Sequence, residues 1–91
     1  MGQPNLVLNK DAPKIRRALA RAVRNLRQRK KPRCTQEMLA GEIGIDRSYV
    51  GAIERGEHDP PISTFWRLAE GLGVSFTMLA AELERQHKKL D

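Results

Sequence analysis

The stretch Gln36-Glu37-Met38-Leu39-Ala40-Gly41-Glu42-Ile43-Gly44-Ile45-Asp46-Arg47-Ser48-Tyr49-Val50-Gly51-Ala52-Ile53-Glu54-Arg55 decides the fold. It reads as two short helices joined by a tight turn. Thr35 is placed to cap the first, whose inward positions are Met38, Leu39 and Ile43. Gly44 stops that helix, because a turn of this kind needs a residue tolerant of positive φ. Asp46 caps the second helix, which runs to about Glu54 or Arg55 and is closed by Gly56. Two helices meeting near a right angle need a small residue at the crossing, and Ala40 supplies it. Leu39, Ile43, Ile45, Val50 and Ile53 are the apolar knobs that bury between the pair and a third element.

That third element lies upstream. Asp11 is a candidate N-cap and Pro13 suits a first helical turn, where its missing N–H costs nothing. Ile15, Ala18, Leu19, Ala22, Val23 and Leu26 then follow the spacing of one apolar helix face, with arginines on the other sides. Lys31-Pro32 ends this helix, since the residue before a proline avoids the α region. Residues 1–11 show no helical period and read as an N-terminal arm.

Downstream, Glu57-His58-Asp59-Pro60-Pro61 is a loop by composition. A fourth helix carries Ile62, Phe65, Trp66, Leu68, Ala69 and Leu72 and stops at Gly73; its spacing places Phe65 and Trp66 in the core. Ser75 caps a fifth, with Phe76, Leu79, Ala80 and Leu83 on one side. The charged tail 85–91 is expected to fray. Five short helices without strand-like alternation predict an all-α domain over residues 12–84.

The 91-residue chain has room for one domain and carries a formal charge of +6, which suits a polyanionic partner. With Cys34 alone no intramolecular disulfide is possible, and a buried thiol is the expected state. Met1–Asn5 lacks the basic start and apolar core of a signal peptide, and no apolar run approaches the ~20 residues a membrane span requires. A cytoplasmic protein is expected. His58, His87 and Cys34 form no metal-ligand spacing, and neither a phosphate-cradling glycine loop nor a nucleophile elbow is present. No enzyme, metal, cofactor or small-molecule ligand is expected.

The run Thr35–Gly56 resembles the Cro and lambda-repressor type of helix-turn-helix, the XRE family. Pro60, Leu68-Ala69, Leu72-Gly73-Val74-Ser75 and Leu79 resemble that family's fourth and fifth helices, so the likeness covers roughly residues 20–83. Ser48–Gly56 is most similar to controller proteins of restriction–modification systems. The resemblance implies a lambda-repressor-like fold and a DNA-binding transcriptional regulator. Lys31-Pro32-Arg33 departs from the family as a longer link between the first two helices. The family's buried ion pair falls on Arg27 and Glu54, with Arg24 or Arg29 as alternatives to Arg27, and orients the recognition helix.

On a helical wheel, burying Val50 and Ile53 leaves Arg47, Ser48, Gly51, Ala52 and Arg55 facing out. The resemblance places base readout on that face, at Arg47, Ser48 and Ala52, with Gly51 allowing close approach to the groove. Arg47 is the best reader, because a guanidinium bonds guanine O6 and N7 together, at about 1–3 kcal/mol of discrimination. The family uses the position of Gln36 and the helix N-terminus to hold a phosphate. Thr35 is mainly a cap with phosphate contact second, and Tyr49 divides between core and backbone contact. Arg33 and Arg55 are further phosphate contacts.

The leading expectation is a homodimer on a palindromic operator, with half-sites ~34 Å apart. Phe76, Leu79 and Leu83 are the expected interface, with part of the fourth helix adjoining. Two other readings stand beside it. One is an antitoxin-type interaction module whose main partner is a protein, held by the arm at residues 1–13, with DNA binding for autoregulation; the other is an RNA- or chromatin-associated protein that uses charge without base readout.

Overall fold

A computed structural model describes residues 9–91, so Met1–Leu8 of the expected arm lie outside the described residues. A short 3-10 turn, Asn9–Asp11, leads into α1 (Ala12–Arg29). The remaining helices are α2 (Gln36–Ile43), α3 (Arg47–Glu54), α4 (Ile62–Leu72) and α5 (Phe76–Lys89). Among the described residues the chain is all-α, in the arrangement the resemblance implies: α2 and α3 form the helix-turn-helix, α1 packs behind both α3 and α5, and α4 closes the far side of α2.

Local chemistry sets most boundaries. The hydroxyls of Thr35 and Ser75 accept from the amides of Met38 and Met78, and the Asp46 carboxylate accepts from the Ser48 amide. Each satisfies an amide that the first helical turn leaves without a backbone partner. Gly44 and Gly73 end α2 and α4 in the left-handed region, at φ of 74° and 75°. Asp11 does not cap α1. It sits at helical dihedrals because the 3-10 turn runs straight into the helix, and its side chain makes no capping bond.

The core gathers Leu19, Val23 and Leu26 of α1, Leu39 and Ile43 of α2, Val50 and Ile53 of α3, and Leu68, Leu72 and Leu79. Several apolar expectations are corrected. Ile15, Met38 and Ile62 lie on their helices' outer sides and are exposed. Trp66 is 54 % exposed, stacked at the surface on Phe76, with ring centroids 5.3 Å apart. Phe76 also meets Phe65 edge-on, at 5.0 Å and 71°, so these three rings tie α4 to α5. Leu79 is fully buried within the protomer, because α5 turns that face to α1, and it offers nothing to a partner.

The tail does not fray after residue 84. Helix α5 continues to Lys89 because Gln86 is buried and donates to Glu82 at 2.9 Å, while Lys14 pairs with Asp91. Among the described residues no helix is long and apolar enough to cross a membrane, and no cluster of three or more His, Cys, Asp and Glu could hold a metal.

Candidate nucleic-acid interface

Glu54, the last residue of α3, is 2 % exposed and organises the site. Arg27 of α1 grips its carboxylate with two bonds, Nε to Oε2 at 2.7 Å and Nη2 to Oε1 at 3.0 Å. The bond to Glu54 raises the pKa of Arg27, against the opposing effect of burial. Gln36 at the start of α2 adds Nε2 to Oε1 at 2.9 Å. Arg24 donates Nη2 to the Glu54 backbone carbonyl at 2.7 Å, where a cation also suits the negative end of the helix dipole. One carboxylate therefore locks α3 to α1 and α2 together. Arg29 makes no bond to it among the described residues.

The other end of α3 is open. Arg47 and Ser48 are exposed in its first turn. The Asp46 carboxyl beside them is held below the usual carboxylate range, chiefly by the hydrogen bond from the Ser48 amide. Arg47 borders an open cleft of about 310 Å³ with Arg27, Arg33, Thr35, Gln36 and Glu37. The N-terminus of α2, Arg33 and the first residue of α3 thus face one concavity.

Gly51 and Ala52 do not face outward as the helical wheel predicts. Both are buried, because α3 is two turns long and neighbours press it from both flanks, widening its buried stripe to Val50–Glu54. A Cβ at Gly51 would stand 3.1 Å from Arg55 Nη1 and 3.7 Å from Gln36 Oε1, so those side chains lie over it. The amide of Gln36, expected at a phosphate, is committed to Glu54. Sequence reasoning misses that link because both residues are polar and lie eighteen positions apart.

Thr35 caps α2 and is half-buried. Arg33 is exposed. Arg55 is exposed and forked onto Glu57, at 2.9 and 3.2 Å; that pairing raises the Arg55 pKa and lowers that of Glu57. Tyr49 is half-buried and meets His58 edge-on, with centroids 5.3 Å apart.

Comparison with known proteins fits this geometry. Residues 23–79 match the helix-turn-helix family model HTH_3. The restriction–modification controller protein C.AhdI from Aeromonas hydrophila superposes with a TM-score of 0.65 at 34 % identity, over 70 % of this chain and 94 % of that one. The controller protein C.Esp1396I, solved as a tetramer in complex with its natural 35 base-pair operator, gives 0.72 at 26 % identity, over 80 % and 93 %. In sequence the chain is 33 % identical over 63 residues to the transcriptional regulator SutR of Escherichia coli; this covers 69 % of the chain but only 34 % of SutR. The chain belongs to the HTH_3 family, the XRE or Cro/C1 class of helix-turn-helix DNA-binding transcriptional regulators.

Proposed function

We propose that this chain binds a palindromic operator as a homodimer, each protomer laying α3 in the major groove. The observation that carries this reading is the asymmetry of α3. Its C-terminal end is held by Glu54 to α1 and α2, while its N-terminal end presents Arg47 and Ser48. A rigidly aimed helix is what base readout requires, because a bidentate arginine tolerates little misplacement. Arg47 reads guanine and Ser48 adds a less selective contact. Gly51, beneath the Arg55 and Gln36 side chains, and buried Ala52 leave the base contacts to Arg47 and Ser48. Phosphates fall to Arg33, to the α2 N-terminus with Thr35, to Tyr49, and to Arg55 once it leaves Glu57.

Dimerisation supplies affinity that so small a reading surface lacks. With Leu79 inside the core, the contact with a second copy falls on Ile62 and Trp66, which adjoin one turn apart on α4 with Phe76 against Trp66; Ile15, Met38 and Met78 are the other exposed large apolar side chains among the described residues. Half-buried Leu83 lies elsewhere, in a groove with Ile15. The complex of C.Esp1396I with its operator supports a controller-like role.

The test is selection from a random-sequence duplex library at near-physiological salt, repeated with Arg47→Ala. Recovery of one palindrome, relaxed by the substitution at one base per half-site, is expected. Binding with no enriched sequence, unchanged by Arg47→Ala, would refute the reading.

A further inference from the structure

The longer link between α1 and α2 is pinned at both ends. The ammonium of Lys30 donates to the Gly71 carbonyl at 2.9 Å, and Arg27 Nη1 donates to the Cys34 carbonyl at 3.0 Å, while the Cys34 side chain is buried. Between those pins Lys31 and Arg33 are exposed, and among the described residues neither makes an ion pair or a side-chain hydrogen bond. An open cleft of about 460 Å³ lies between this link and the end of α1. Four cationic residues, Arg27, Lys30, Lys31 and Arg33, line it, and no carboxylate does. It shares Arg27 and Arg33 with the cleft that reaches Arg47, where Glu37 is the one carboxylate at the rim besides the paired Glu54 behind it. Positive charge therefore runs from the reading end of α3, through Arg33, to Lys31.

We propose that this second cleft seats backbone phosphates of the operator duplex outside the base pairs that α3 reads, with Lys31 and Arg33 as the contacts. The proposal rests on the operator-binding reading above. Two cations that are already held on a pinned link, and that give up no ion pair, lose little on binding a phosphodiester. Their charge acts through counterion release, so it lengthens the footprint and strengthens binding without adding sequence preference. A free phosphate-like anion offers the same chemistry, and the experiment separates the two.

The selected operator is prepared in two lengths, one ending at the half-sites and one extended by about half a helical turn on each side. The expected result is several-fold tighter binding of the longer duplex by the unsubstituted protein, with a steeper dependence on salt. Lys31→Ala combined with Arg33→Ala is expected to remove the advantage of length and to reduce the slope by about 0.9 for each phosphate no longer neutralised. The unfolding curve of this variant checks that it folds. Equal binding of both lengths, or an unchanged slope in the variant, overturns the cleft assignment while an enriched operator leaves the regulator reading standing. Failure to enrich any sequence overturns both. Inorganic phosphate that binds tightly to the DNA-free protein at constant ionic strength, and no longer binds the variant, gives the cleft to a free anion and overturns the DNA assignment.

Discussion

The guanidinium of Arg27 and the carboxylate of Glu54 meet in two near-parallel hydrogen bonds, 2.7 and 3.0 Å long, where α1 crosses the end of α3. A buried pair of this kind contributes little net stability over an apolar substitute, because desolvation offsets most of the attraction. Its effect is on direction. Gln36 and Arg24 join the same residue, so α3 cannot rotate without breaking its bonds to two other helices.

Removing one partner is therefore far costlier than removing both. Arg27→Ala leaves a carboxylate that is 2 % exposed with Gln36 and a more distant Arg24, whose Nε is 3.9 Å away. A loss of about 3 kcal/mol is expected, the low end for a stranded buried charge, since Arg24 remains near. Arg27→Met with Glu54→Leu should recover most of that stability yet weaken operator discrimination. Urea denaturation and binding to the selected duplex read the two effects separately. A double variant with intact discrimination would show that the pair does not orient α3.

Local signals were the legible part of this fold. Thr35, Asp46 and Ser75 announce helix starts, and Gly44, Gly56 and Gly73 announce stops, because a cap or a positive φ depends on a few neighbouring residues. Periodicity found the helix faces but not what covers them. Trp66 follows the core spacing of α4 and still lies outside, since among the described residues no ring other than Phe76 stacks on it. Leu79 has the spacing of a partner-facing residue and is enclosed by α1 packing. The Gln36–Glu54 bond and the buried Gln86 were illegible because their burial depends on polar partners far away in sequence or one turn along a charged tail.

Gly71 marks the closest approach of α4 to α2. A Cβ there would fall 2.5 Å from Ile43 Cγ2 and 2.7 Å from Leu39 Cδ1, both on buried branched side chains with little room to yield. Alanine favours a helix over glycine by about 1 kcal/mol, but overpacking a close-packed site costs about 1–3 kcal/mol. Gly71→Ala should therefore destabilise by about 1 kcal/mol. Gly41, exposed on α2 with nothing within 4 Å of a built Cβ, is the control, and Gly41→Ala should stabilise by about 0.5–1 kcal/mol. Equal midpoints for the two variants in urea would contradict the close approach.

Trp66 is the residue on which the proposed dimer face depends. Trp66→Gln removes apolar surface that is already 54 % exposed, so the protomer should lose less than about 1.5 kcal/mol. Self-association should fall at least tenfold if Ile62 and Trp66 meet their copies, and operator affinity should fall with it. Sedimentation equilibrium checks the first effect. An unchanged dimer constant would move the interface to another surface.

Glu82 supplies a pH dependence whose sign follows from its surroundings. Burial pushes its carboxyl upward, but hydrogen bonds from Arg85 at 2.9 and 3.1 Å, from Gln86 at 2.9 Å and from Asn25 outweigh that and bring it below its ordinary value of 4.5. The unfolded chain, with Glu82 near that ordinary value, takes up its proton first as pH falls. The stabilisation is therefore fully present above about pH 5 and disappears as pH drops through the ordinary value to the lowered folded one. Glu82→Gln keeps the shape but not the charge. It should cost about 1 kcal/mol at pH 7, discounted because Arg85 is half exposed. Its stability should then fall less steeply than that of the unsubstituted protein as pH drops below about 5, where Asp46 and Glu57, also lowered, still contribute to both curves. Curves that run parallel through that range would mean that Glu82 titrates alike in the folded and unfolded chains, and that the hydrogen bonds holding the end of α5 do not favour its charge.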